Sequence, residues 1–70
     1  MKIKFIVKTG TYDVYWNKEI PRAGELLELR ISGNHVYQTK EANQGNFAII
    51  SGAVKLVTWI SDYEVTITIG

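Results

Sequence analysis

Apolar and polar residues alternate with a period of two over most of this chain. Ile3, Phe5 and Val7 share one side of the first segment, with Lys2, Lys4 and Lys8 on the other. Tyr12, Val14 and Trp16 alternate in the same way with Thr11, Asp13 and Tyr15. That period is the mark of a half-buried strand, whose successive side chains point to opposite faces. A two-residue turn at Thr9-Gly10 pairs Val7 with Tyr12, Phe5 with Val14 and Ile3 with Trp16. All six apolar side chains then land on one face, and Trp16 plugs the core opposite Ile3. A slip of one residue would send one strand's set to the wrong side, so the two patterns together predict a hairpin.

The C-terminal segment predicts a second hairpin. A turn at Ser61-Asp62 pairs Ile60 with Tyr63, Thr58 with Val65, Leu56 with Ile67 and Val54 with Ile69. That face is apolar except for Thr58, and it leaves Val57 and Trp59 on the opposite face. A three-residue turn would bring Val57 and Trp59 inward instead, but Lys55 with them. The first register is therefore preferred.

Between these hairpins Leu27, Leu29 and Ile31 alternate with Leu26, Glu28 and Arg30. Gly33-Asn34 then fits the centre of a type II′ turn, whose first position needs positive φ, and the chain returns through Val36 to Gln38. Thr39 to Asn46 is the most polar stretch and reads as the longest exposed loop. Phe47 to Ile50 is a short apolar strand ended by Ser51-Gly52. The sum is an all-β chain of five to seven short strands rich in β-branched and aromatic residues. So small a set of strands protects its edges best by curling, which predicts a single domain over residues 1–70. Its expected form is an antiparallel, SH3-like or partly open β-barrel.

One stretch, Glu19 to Leu29 (EIPRAGELLEL), carries a competing signal. Leu26 and Leu29, and Leu27 and Ile31, have helical spacing. The window from Glu25 to Ser32 is too short for a stable helix, and Gly24 would cost about 1 kcal/mol inside its first turn. Pro21 suits a turn position and Gly24 can take positive φ, so the stretch reads as a turn that launches a strand. Ile20-Pro21-Arg22-Ala23-Gly24-Glu25 with Leu26-Leu27 resembles the opening of small uncharacterised bacterial and phage proteins, in which an apolar residue precedes Pro-Arg-x-Gly-Glu/Asp. That resemblance implies a small β-barrel and a bacteriophage or mobile-element origin. It carries no assigned activity.

Composition narrows the function more than it defines it. Seventy residues bury only about 60% of their unfolded surface, so the core is thin. No cysteine is present, which removes disulfides, thiolate metal sites and a cysteine nucleophile. His35 is the only histidine, too few for a structural zinc site, so no metal or other cofactor is expected. Nothing approaches the roughly 20 apolar residues of a membrane helix, and the apolar run Phe5-Ile6-Val7 is too short for a signal peptide. A cytoplasmic protein without membrane contact is the expectation.

Chemistry is equally sparse. His35 reads as a solvated turn residue beside Gly33-Asn34. Glu25 and Glu28 fall on opposite strand faces, which separates them as an acid–base pair. Neither a nucleophile elbow nor a glycine-rich phosphate loop is present. The expected function is non-enzymatic binding of a protein partner, with self-association into a homo-oligomer also expected. This suits a phage accessory or inhibitor protein. Tryptophan and tyrosine anchor binding hot spots, which makes Val57, Trp59 and Tyr37 the candidate interface residues. The alternative is a nucleic-acid or nucleotide module using Lys2, Lys4, Tyr15 and Arg22, where lysines would meet phosphates and the ring would stack on a base. In the predicted register Lys4 faces Tyr15, Lys2 lies near Asn17 and Lys8 faces Thr11. A net charge of only +1 weighs against that alternative.

Overall fold

The computed structural model describes residues 1–38 and 48–70, with Tyr37 and Gln38 described by their backbone alone. It contains six strands among the described residues and no helix. They are β1 (Lys2–Val7), β2 (Gly10–Tyr15), β3 (Leu26–Ser32), β4 (His35–Gln38), β5 (Ala48–Ser61) and β6 (Glu64–Ile69). Their order in the sheet is β2-β1-β6-β5-β3-β4. The sheet curls until the outer strands meet again at one end, where the Tyr15 amide donates to the Asn34 carbonyl at 3.0 Å. The result is a nearly closed barrel. The predicted loop from Thr39 to Asn46, and Phe47, lie outside the described residues.

The sheet is mixed rather than purely antiparallel as expected. β1 and β6 run parallel, with Ile3 opposite Val65 and Phe5 opposite Ile67. Parallel neighbours need a long crossover, and here the intervening four strands supply it. This places the first and last strands side by side at the centre of the sheet. Both alternate with one apolar face, so Ile3, Phe5, Val65, Ile67 and Ile69 all enter one core. Val14, Leu29, Ile31, Ile50 and Val54 complete it from the other strands. Trp16 is also buried, edge-on to Phe5 with ring centroids 5.8 Å apart. Its indole N–H reaches the Glu19 carbonyl at 3.1 Å, which satisfies the one polar atom a buried tryptophan brings.

The first hairpin forms, but its turn is Lys8-Thr9 rather than Thr9-Gly10. Phe5 faces Tyr12, Ile3 faces Val14 and Lys2 faces Tyr15. The pairing has moved by two residues, which preserves the inward face. The hydrophobic pattern fixes parity and leaves such a shift open. Trp16 consequently lies past Ile3, its amide bonded to the Met1 carbonyl at 2.9 Å. Gly10 follows the turn at φ 149°.

The Pro-Gly stretch is a turn. The Glu25 amide donates to the Arg22 carbonyl at 3.1 Å, and Gly24 has φ 93°, as a type II turn requires at its third position. The Glu25 carboxylate accepts from the Arg22 amide at 3.1 Å. β3 then starts at Leu26, with Leu29 and Ile31 buried and Leu26 and Glu28 outward. The Gly33-Asn34 turn also forms as expected. Gly33 takes φ 60° and Asn34, like every other described non-glycine residue, does not take positive φ.

β5 departs most from expectation. It does not end at Ser51-Gly52 but runs from Ala48 to Ser61, 14 residues in all. Its first part pairs with β3, from Ala48 opposite Ile31 to Ala53 opposite Leu26. Its second part pairs with β6, from Val54 opposite Ile69 to Ser61 opposite Glu64. Gly52, at φ 144°, stands just before the strand changes partners between Ala53 and Val54. One continuous strand thus forms two walls of the barrel.

Candidate interaction surface

The β5–β6 pairing decides which side chains face outward. Trp59 lies opposite Val65, Val57 opposite Ile67 and Leu56 opposite Thr68. The turn is Asp62-Tyr63, and the register in this part is the one rejected on sequence grounds. The objection was Lys55, and the chain removes it with a β-bulge between Val54 and Leu56. The extra residue switches Lys55 away while Val54 stays inward opposite Ile69. A second irregularity lies between Trp59 and Ser61, at Ile60. The expected inner set is therefore corrected. Leu56 and Ile60 are 58% and 62% exposed, whereas Val57 packs against the core.

Trp59 is on the inward side yet 54% exposed. The reason is the length of its neighbour. β3 begins at Leu26, opposite Ala53, and the chain before it leaves through the Arg22–Glu25 turn. The last contacts across this seam bond the Val54 amide to the Glu25 carbonyl and the Gly24 amide to the Val54 carbonyl, both at 2.8 Å. Beyond Val54, β5 has β6 on one edge and, among the described residues, no strand on the other. The core wall stops and Trp59 overhangs the gap. With Val57 it lines a groove of about 350 Å³ whose far side is Ile20, Pro21, Arg22 and Ala23. At the hairpin end Ile60 and Tyr63 add further exposed apolar surface.

Of the three expected interface residues, Val57 and Trp59 share this groove. Tyr37, on β4, pairs with Arg30, which pairs with Ile49, ten residues back along β5 from Trp59. Its side chain lies outside the described residues. Ile20, Pro21 and Ala23 were not anticipated as groove residues. Their only signal was the apolar-Pro pair beside a turn, which says nothing of what the turn packs against.

The residues of the nucleic-acid alternative are arranged differently from expectation. Lys2 faces Tyr15 on one side and Glu64 on the other, and Lys4 faces Asp13 and Thr66. Lys4 therefore does not face Tyr15, and Thr11 pairs with Ile6 while Lys8 is in the turn. Each of the two lysines has a carboxylate residue as a cross-strand neighbour, in a shallow depression of about 260 Å³ shared with Ile60. Arg22 is not on this face. It lines the Trp59 groove and lies 3.6 Å from the Glu19 carboxylate, an exposed pair of little energetic weight.

His35 is exposed at the start of β4. Among the described residues no group of three or more His, Asp or Glu side chains stands close enough to hold a metal ion. No helix among them is long and apolar enough to cross a membrane. No family model, curated protein or solved structure matches the chain.

Proposed function

We propose that this protein is a non-enzymatic binding module that acts by protein–protein contact through the Trp59 end of the barrel. The observation that carries the reading is the overhang. A tryptophan sits on the inward side of β5 yet remains half exposed beside Val57 and the Ile20–Ala23 segment. A partner that covers it completes the wall that β3 leaves short. Exposed apolar patches rimmed by polar residues mark interaction sites, and tryptophan is the side chain most enriched among binding hot spots. Arg22, exposed, is a cation in the lining of the groove. The resemblance of the Pro-Arg-Ala-Gly-Glu turn to small phage and bacterial barrels is compatible with an accessory or inhibitor role.

Nucleic-acid recognition by Lys2, Lys4, Tyr15 and Arg22 has less support. Asp13 and Glu64 lie opposite the two lysines, and Arg22 belongs to a different surface. Phosphate binding draws on a surplus of cations, which this face lacks.

A photocrosslinking residue placed at Tyr63 tests the reading in cells that make the protein. Discrete protein adducts that vanish in W59A, with the strand spectrum unchanged, support it. Adducts to nucleic acid, protein adducts indifferent to W59A, or no adduct at all would overturn it.

A further inference from the structure

We infer that the partner at this end is a second copy of the same chain, joined by antiparallel pairing of the free β5 edges about a two-fold axis at Thr58. This deepens the reading of the Trp59 end as a binding surface and rests on it. From Leu56 to Ser61 one edge of β5 is bonded to β6, and among the described residues the other edge has no strand. Such an edge presents a row of main-chain donors and acceptors to another chain. Monomeric proteins blunt these edges with charge, proline or bulges. Here the two irregularities flank the stretch Leu56–Trp59 rather than interrupt it, and Leu56 to Ser61 contains no charged residue and no proline. The barrel's other edges, β2 and β4, turn toward one another. Along Leu56–Ser61 no strand among the described residues pairs with the β5 edge, and the Ile20–Ala23 segment stands across the groove from Val57 and Trp59.

The occupant follows from self-complementarity. A symmetric interface needs one patch that matches itself. Pairing about Thr58 sets Val57 opposite the second copy's Trp59, and Leu56 opposite its Ile60. Leu56–Ser61 carries no charged residue, so no like charges meet along it, and Lys55 and Asp62 bound it with opposite signs that the two-fold axis brings to the same end. Directly opposed side chains on paired strands have Cβ atoms about 4.5–5.5 Å apart, close enough for these matches to count. Added backbone hydrogen bonds supply affinity, and the half-exposed Trp59 and Leu56 lose water.

The test uses the full chain with Thr58, an exposed residue opposite Thr66 whose replacement leaves the core untouched. Sedimentation velocity is run on wild type, T58K, T58E and an equimolar mixture of the two variants. The expected result is a wild-type dimer, monomers for each variant alone, and a dimer restored on mixing. Like charges meet across the axis in the single variants, and opposite charges meet in the mixture. Circular dichroism and melting confirm that both variants fold. Hydrogen exchange on wild type adds a second readout, with protection of the Leu56–Ser61 amides rising with protein concentration. A monomeric wild type, a dimer indifferent to both charges, or a mixture that fails to reassociate overturns the inference. Trp59-dependent crosslinks to another protein, with a monomeric wild type, would leave the binding reading standing and remove only the self-pairing.

Discussion

Replacing Gly52 by alanine tests whether β5 is one bent strand with a backbone that only glycine tolerates. Two penalties apply. At φ 144° the added Cβ enters a region that L-residues rarely adopt, at a cost of about 1–3 kcal/mol. It also meets the Ile69 Cγ2 atom at 3.0 Å and the Gly70 carbonyl oxygen at 3.1 Å. Crowding of that kind in a packed interior costs about 1–3 kcal/mol more. The total, about 2–5 kcal/mol after the small compensating loss of unfolded-chain entropy, is large for a domain of this size. Seventy residues at roughly 0.05–0.15 kcal/mol each hold only about 3.5–10 kcal/mol of stability. Gly10 supplies the control. Its φ of 149° is nearly the same, but a Cβ there meets nothing within 4 Å. G10A therefore carries the conformational cost alone, and unfolded-state effects cancel in the comparison. Urea unfolding, followed by the fluorescence of the buried Trp16, measures both variants. G52A is expected to be less stable than G10A by about 1–3 kcal/mol, the contact part of the cost. Equal stabilities would refute the close approach of Gly52 to the end of β6.

Three further outcomes follow from named contacts. F5A removes a fully buried ring at the heart of the sheet and is expected to cost about 3–5 kcal/mol, seen as loss of the cooperative thermal transition or a large fall in its midpoint. W16F keeps the edge-on ring pair but leaves the Glu19 carbonyl without its donor, for a loss of about 1–2 kcal/mol by chemical denaturation. Fluorescence anisotropy at low salt should detect no salt-sensitive binding to single-stranded or duplex DNA. A steep salt slope, reduced in K2A and K4A, would revive the nucleic-acid alternative.

Much of the fold was legible in the residues. Alternation placed Ile3, Phe5, Val14, Leu29 and Ile31 on one face, and Gly33-Asn34 and Pro21–Gly24 acted as the turns their chemistry dictates. What was not legible shares a cause. Alternation reports parity and not absolute register, so the first hairpin could move by two residues without moving any apolar side chain to the other face. In the second hairpin Lys55 seemed to forbid the register that forms, because a bulge has no signature in a strand pattern beyond the misplaced residue it accommodates. Gly52 looked like a terminator, since glycine serves equally at a strand end and at a bend. The parallel β1–β6 pair was invisible for a different reason. Both strands carry the same one-sided pattern, and nothing local distinguishes the direction of a neighbour nearly the whole chain away. The groove was half foreseen: Trp59 is exposed as suspected, but through the shortness of β3 rather than by pointing outward.

The placement of β6 between β1 and β5 has a kinetic consequence. Val65 and Ile67 complete the core only when β6 seats beside a strand made at the other extreme of the chain. No early fragment contains both halves of that contact, so partial chains from the ribosome hold Ile3 and Phe5 beside β2 but without Val65 and Ile67. Loop closure over such a separation must precede most of the burial that rewards it, which makes folding slow for a chain this short. The expected behaviour is a single slow phase with a transition state already organised around β1 and β6. Substitutions at Ile3 or Ile67 would then retard folding, while those at the Trp59 end would alter unfolding or association instead.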